Sequence, residues 1–256
     1  MGLPVVTVAT GGLPIVESTV GGTPVTEATN GRGVPVTKVV GKPGMPVVFE
    51  TIGVVAPPVV YATLDPATIT AVTLSGGNLI ATNTGTSSTS QGAHVVSTSG
   101  KIAGKIYFEA TFTNIIGAGG ANQGVGIGTV ASTYAGMGVS ATTGIMMFKG
   151  GPIYSSGTNT GITFSLRSNG DIIGIAINLD NRRGWYRVAP SGNWNNNVAN
   201  NPETNIGGVV VPAGTMIPFL TFGDTGGQVG NITTINFGAS AFVGAVPAGF
   251  TSGWPA

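Results

Sequence analysis

The sequence predicts an all-β protein: a two-sheet antiparallel sandwich preceded by an extended arm of short repeated strands. Three observations carry this reading. Of 256 residues, forty-four are glycine and sixteen proline, only eight are leucine, and Val, Ile, Thr, Phe and Tyr fall in short runs between glycines. That is the composition of strands joined by tight turns. Two longer segments alternate apolar and polar residues, as half-buried strands do. The N-terminus repeats Gly-x-Pro followed by Val or Ile five times, at intervals of ten or eleven residues.

The repeats come first in the chain, as Gly2-Leu3-Pro4-Val5, Gly12-Leu13-Pro14-Ile15, Gly22-Thr23-Pro24-Val25, Gly33-Val34-Pro35-Val36 and Gly44-Met45-Pro46-Val47. In each, proline stands at the entry to a short β-branched run, a place where its missing N–H is tolerated, and the glycines supply the turns. Each repeat is expected to give one strand of about five residues. A sixth, degenerate copy is Val55-Ala56-Pro57-Pro58-Val59. Strands this short cannot bury their own apolar face, so residues 1–57 are expected to stack on copies of themselves or to lie along a partner. A Pro/Gly-rich linker without fixed structure is the competing reading.

From residue 58 onward the pattern lengthens. In the segment 105–112, Ile106, Phe108, Ala110 and Phe112 share one face; in the segment 171–180, Ile173, Ile175, Ile177 and Leu179 share one face and Gly174, Ala176 and Asn178 the other. Both fit strands packed on one side within a sandwich. Further strands are expected at 68–74, 78–83, 123–130, 144–149, 216–222 and 231–237, with polar turns between them.

These strands carry a family resemblance. Ser99-Gly100-Lys101-Ile102-Ala103-Gly104-Lys105-Ile106-Tyr107-Phe108-Glu109 resembles the opening strand of SPRY domains, with Ile106 where the family usually has tryptophan. Gly124-Val125-Gly126-Ile127-Gly128 is similar to the next family strand, and Gly170-Asp171-Ile172-Ile173-Gly174-Ile175-Ala176-Ile177-Asn178-Leu179-Asp180 to its central one. Pro218-Phe219-Leu220, Ile235-Asn236-Phe237-Gly238 and Pro247-Ala248-Gly249-Phe250 resemble the closing strands and tail. The likeness spans about residues 58–254 and implies a bent, jelly-roll-like sandwich. The segment around Trp194-Asn195-Asn196-Asn197, Asn201-Pro202-Glu203-Thr204 and Gly207-Gly208 resembles SPRY-like domains of tailed-bacteriophage virion proteins, as the N-terminal repeats resemble segments of phage structural proteins.

Composition excludes several function classes. Ten basic and nine acidic residues leave a net charge of +1, so no field steers the protein onto nucleic acid. So little charge with a positive mean hydropathy favours association, and a homo-oligomer is expected, a trimer by resemblance to virion fibres. Absence of cysteine removes disulfides and thiolate chemistry. No apolar run reaches the roughly 18 residues that would span a bilayer, so membrane insertion is not expected. No secretory signal is evident either, which suits a protein released by lysis within a virion.

Catalytic chemistry finds little purchase. Asp171 and Asp180 lie nine residues apart on one expected strand, about 30 Å at strand rise, too far for the paired carboxylates of a glycosidase. Glu109 reads as a structural or surface strand residue. His94, the only histidine, reads as a surface residue. Gly117–Gly120 and Gly124–Gly128 open no helix, so they are turn and strand glycines rather than phosphate loops. No catalytic residue, metal site or cofactor is expected.

The richest binding chemistry lies at residues 182–205, with Arg182, Arg183, Trp185, Tyr186, Asn193, Trp194, Asn195, Asn196 and Asn197. Aromatic faces stack on sugar rings while amides bond their hydroxyls, which suits a glycan. The competing reading places Trp185 and Tyr186 on a core strand and the asparagines in turns. The expected function is a non-enzymatic virion surface protein, a decoration, head spike or fibre, docked onto other virion proteins through residues 1–57 and displaying the sandwich. A lectin-fold depolymerase or tail-fibre receptor-binding protein is the alternative.

Overall fold

The computed structural model describes residues 58–85, 93–116, 123–129, 143–222 and 229–256, together with the backbone of four strands within the first 52 residues. The chain divides into two compact units, residues 1–59 and 60–256.

In the first unit, strands β1 (Val16–Val20) and β2 (Thr23–Glu27) pair antiparallel around Gly21-Gly22, and β3 (Val36–Val40) pairs with β4 (Val48–Ile52). Each strand has five residues. The four strands form two two-stranded sheets. Pro24 and Val25 lie in β2, facing Thr19 and Ser18, and Val36 opens β3 opposite Ile52. Pro4, Val5, Pro14, Ile15, Pro35, Pro46 and Val47 lie outside the described residues. The degenerate sixth copy contributes no strand at residues 58–60.

The second unit is a sandwich of two antiparallel sheets. The larger runs in the order β15 (Val209–Val210), β14 (Arg183–Val188), β13 (Ile172–Asn178), β8 (Lys105–Asn114), β17 (Ile232–Asn236), β6 (Ile80–Asn83) and β5 (Val72–Ser75). The short β18 (Thr251–Ser252) runs parallel to β8 opposite Ile106 and Tyr107, beyond the stretch that β17 covers. The smaller sheet runs β12 (Thr158–Thr163), β11 (Pro152–Ser155), β10 (Gly144–Phe148), β9 (Gly124–Thr129), β16 (Met216–Thr221) and β7 (His94–Val96).

The alternation read from the sequence sets the faces. Ile106, Phe108, Ala110 and Phe112 of β8 and Ile173, Ile175, Ile177 and Leu179 around β13 meet Val125, Ile127, Ile145, Met147 and Leu220 of the smaller sheet in one core. Two polar side chains tie the sheets across it. The Tyr186 hydroxyl donates to the Ile145 carbonyl at 3.0 Å, and Gln123 Nε2 donates to the Ile232 carbonyl and Thr233 Oγ1 at 3.0 and 2.8 Å. The tail closes the end: Trp254 is wholly buried, sets its ring edge-on to Phe108 and donates from Nε1 to the Ser99 carbonyl at 2.9 Å.

Part of the outer face of each sheet is also covered, which the sequence pattern did not lead us to expect. On the smaller sheet Val96, Met146, Phe148, Ile217 and Phe219 form a second buried cluster. The register aligns Val96, Phe219, Gly126 and Met146 in one row, so Gly126 leaves the room between two large side chains. His94, expected at the surface, is buried, since β7 is an edge strand whose two sides both pack.

A side chain at Gly126 meets the Ile145 carbonyl oxygen and, at 2.8 Å, the Met146 Cα. Backbone cannot swing aside as a side-chain tip can, so Gly126→Val is expected to cost about 3 kcal/mol or more. A urea unfolding midpoint indistinguishable from the wild-type value contradicts this packing.

Candidate functional site

The richest assembly of polar and aromatic side chains sits on the outer face of the larger sheet, where three cross-strand rows build it. One row is Trp185, Ala176 and Tyr107; the next is Arg187, Gly174 and Glu109; the third is Arg183, Asn178 and Lys105. The small residues of β13 are what make the rows fit. A Cβ at Gly174 lies 2.5 Å from the Tyr107 hydroxyl oxygen, so only glycine lets that phenol lie across the sheet.

Tyr107 reaches across Gly174 and donates to Glu109 Oε1 at 2.6 Å. The same carboxylate accepts from the backbone N–H of Gly244 at 2.7 Å and of Val243 at 3.0 Å. Glu109 is 3% exposed, and a buried carboxylate is tolerated only when its lone pairs are met in this way. Glu109 therefore latches the tail onto the sheet. Phe242, Val246 and Phe250 then pack with Tyr107, Ala176, Trp185 and Trp194 in a third cluster. The Arg187 guanidinium lies 4.4 Å from the Trp194 ring centroid, beside Tyr107, and donates to the Ala245 carbonyl.

Of the nine residues singled out from sequence, Arg183, Trp185 and Trp194 stand on this face, and most of the nine are engaged internally. Trp185 and Tyr186 are wholly buried. Trp185 Nε1 donates to the Ile206 carbonyl at 2.8 Å, and the Tyr186 phenol is spent on the opposite sheet. Neither ring has a free face, so their expected role as sugar platforms is corrected to a structural one. Asn195 is corrected likewise: at 3% exposure it accepts from the Tyr186 N–H and donates to the Gly184 and Gly207 carbonyls. Its φ of 45° and that of Asn196, 54°, are left-handed, which asparagine tolerates.

Arg182 donates to the carbonyls of Ile102, Pro212 and Gly214, clamping three loops, and Arg183 donates to that of Gly208. Asn196, though exposed, donates to the Thr163 carbonyl, and Asn197 accepts from the Ala199 N–H. Asn193 and Asn197 are exposed and Trp194 half-buried. The free surface is thus one face of a Trp–Arg stack with amides beside it. Sequence reading missed Arg187, Glu109 and the 242–250 tail as a unit, because a latch between residues over a hundred positions apart leaves no local pattern.

Among the described residues no group of three or more His, Asp or Glu side chains could hold a metal ion. Asp171 and Asp180 flank opposite ends of β13. Asp171 accepts from the Ser168 N–H and pairs with Arg167, while Asp180 accepts from the Gly104 N–H.

No family model and no curated protein sequence matches the chain. Among solved structures, the SPRY domain of human HERC1 matches with a TM-score of 0.53 at 14% identity, over 68% of this chain and 96% of that one. The sandwich has the SPRY fold. The TRIM65 PSpry domain matches with a TM-score of 0.46 at 12% identity, over 68% of this chain and 91% of that one. Stonustoxin matches with a TM-score of 0.44 at 16% identity, over 69% of this chain and 26% of its own.

Within this SPRY-fold sandwich, burial pushes the Tyr186 phenol up from its ordinary value. Burial, and then the Glu109 carboxylate, does the same to Tyr107. An unfolded phenol ionises near pH 10, so above that pH the unfolded chain releases protons that the folded one holds. The stability these two groups contribute is present below about pH 10 and lost as pH rises beyond it. Native protein at pH 11 is expected to show tyrosinate absorbance short of that of the urea-unfolded chain by at least two phenols. Tyr186→Phe is expected to reduce the loss of stability between pH 9 and pH 11. Full ionisation of all five tyrosines in the native protein contradicts the assignment.

Proposed function

We propose that the protein is a non-enzymatic virion surface component of a bacteriophage, a capsid decoration, head spike or fibre, held by its N-terminal repeats and displaying the SPRY-fold sandwich. The observation that carries this is the division of labour along the chain. The main core of the sandwich is drawn from Ala62 onward, and the Ala62 N–H and Trp254 carbonyl close it by pairing its two ends. The repeats belong to a compact unit of their own. Their two-stranded hairpins are too small to stand alone, and their unpaired edges suit strand addition to a partner or to further copies. The phage assignment rests on the resemblance of the repeats and of the 194–208 segment to virion proteins.

Removal of residues 1–57 separates the two roles. The truncated protein is expected to unfold cooperatively with a midpoint close to that of the full chain, to lose its oligomeric mass in light scattering, and to fail to enter particles. Unchanged mass and unchanged incorporation argue against anchoring by the arm.

A second, weaker activity is favoured by the half-buried Trp194 with exposed Asn193 and Asn197 beside it: contact with a host-surface glycan. Trp194→Ala is expected to lower binding on a glycan array about tenfold or more, since truncating an aromatic anchor of a binding surface costs about 2 kcal/mol. Array signals unchanged by the substitution remove the glycan reading, and release of new reducing ends from host polysaccharide by the wild-type protein favours the depolymerase alternative instead.

A further inference from the structure

The basic and acidic residues that nearly cancel along the chain do not cancel in space. In the first unit Arg32, Lys38 and Lys42 stand against Glu17, Glu27 and Glu50, an even balance. In the second, Lys101, Lys105, Arg182, Arg183 and Arg187 gather on the outer face of the larger sheet and at the end where β13 turns into β14. Arg183 and Lys105 flank Asn178 in one cross-strand row. Arg187 follows Arg183 on β14 at an even spacing and so faces the same way. Arg182 precedes them, and its Nη2 donates to the Ile102 carbonyl at 3.0 Å, which brings it to the loop that carries Lys101.

Three carboxylates share this side, and each is turned to backbone. Glu109 accepts from Val243 and Gly244, Asp180 from Gly104 at 2.7 Å and Glu203 from Ala248 at 2.8 Å. The one ion pair among the described residues is Arg167–Asp171, so none of the five cations has a carboxylate partner there. Asp65 accepts from the Ala67 N–H. Asp224 lies outside the described residues, past the Thr221 end of β16, whereas Lys101 pairs with Met216 at the other end of that strand. All five cations are half-buried, and the two that flank Asn178 are the least engaged. Arg183 spends only Nη1, on the Gly208 carbonyl. The Lys105 ammonium makes no hydrogen bond among the described residues and lies 5.9 Å over the Phe250 ring. Phe250 packs in the same cluster as Trp194, so the exposed aromatic edge and these cations belong to one surface.

Building on the glycan contact proposed above, on which it depends, we propose that the ligand of this surface is acidic: an oligosaccharide whose sugars carry carboxylates. Half-buried cations without a counter-ion gain most from a bound anion, because charge-assisted hydrogen bonds are about twice as strong as neutral ones. The planar guanidinium of Arg183 matches a carboxylate with parallel N–H groups, and the Lys105 ammonium meets a second carboxylate as a point charge. Across β13 the two stand about 10 Å apart at Cα, and Arg183 lies about 13 Å along β14 from Arg187, whose guanidinium stacks on Trp194. One sugar ring cannot lie on Trp194 and reach both cations, so the ligand is an oligomer.

The test prints uronate-containing oligosaccharides beside their carboxyl-reduced counterparts, which keep the rings and lose the charge, and probes them with the full chain. The wild-type protein is expected to bind the acidic members about fivefold or more tightly than the reduced ones, the scale of an exposed ion pair. Lys105→Gln and Arg183→Gln are each expected to shrink that preference about twofold or more, with binding of the reduced members unchanged. Lys105 has no hydrogen bond to lose, so its variant serves if the other does not fold. Raising the salt from about 0.01 M to about 1 M, which shortens the screening length from about 30 Å to about 3 Å, is expected to erase the preference. Equal binding of acidic and reduced members overturns the acidic assignment and leaves the glycan contact standing, as does a preference that both variants leave unchanged. Absence of binding to any member overturns both, and capture of poly-L-glutamate in that case points to an acidic peptide instead.

Discussion

Burial of both faces of strand β8 over residues 106–110 is the constraint on which the larger sheet and its covering depend. Its ten residues, Lys105–Asn114, sit between β13 and β17 with β18 alongside. Inward, Phe108 and Phe112 are at most 1% exposed, and each aromatic so buried is worth about 1.5–3 kcal/mol. Outward, Tyr107 and Glu109 are buried too, and the carboxylate is tolerable only with its partners in place. The backbone N–H groups of Val243 and Gly244 must come to it, which carries Phe242 and Phe250 over the sheet. Glycine at 174 and alanine at 176 follow from the same demand, because larger side chains would lift the Tyr107 ring away.

The polar segment beside this face illustrates why residue type alone does not make a ligand site. A loop of consecutive asparagines has many donors and acceptors, but a loop pressed against a sheet also strands backbone groups that require partners. Asn195 satisfies three of them, and Arg182 three carbonyls in loops that would otherwise splay. Within this segment an aromatic face and amides reach the surface at the margin, where Trp194 stacks on Arg187 and Asn193 remains exposed. In this chain much of the 193–208 loop has become part of the frame.

The two units meet different physical requirements. The sandwich buries a core between its sheets and pairs its own ends, with Ala256 donating to the Val60 carbonyl and Ala62 to that of Trp254. Proline and glycine punctuation fixes where strands begin and turn, yet it says nothing of what lies against them.

Much of the fold was legible in the chain. Alternation along residues 105–112 and 171–180 placed eight side chains on one face, and all eight are core; glycine and proline marked the strands of the repeats and the turns between the longer ones. Hidden from the sequence were the hairpin β11–β12, whose Thr, Asn and Ser resemble a loop, the burial of His94, and the conversion of Trp185, Tyr186 and Asn195 from surface candidates to structural members. The sequence by itself determined strand positions and inward faces, since a period of two is written in neighbouring residues. Only the tertiary structure decided which outward faces are covered and which polar groups stay unpaired, since those depend on partners such as Glu109 and Gly244, brought together from 135 positions apart.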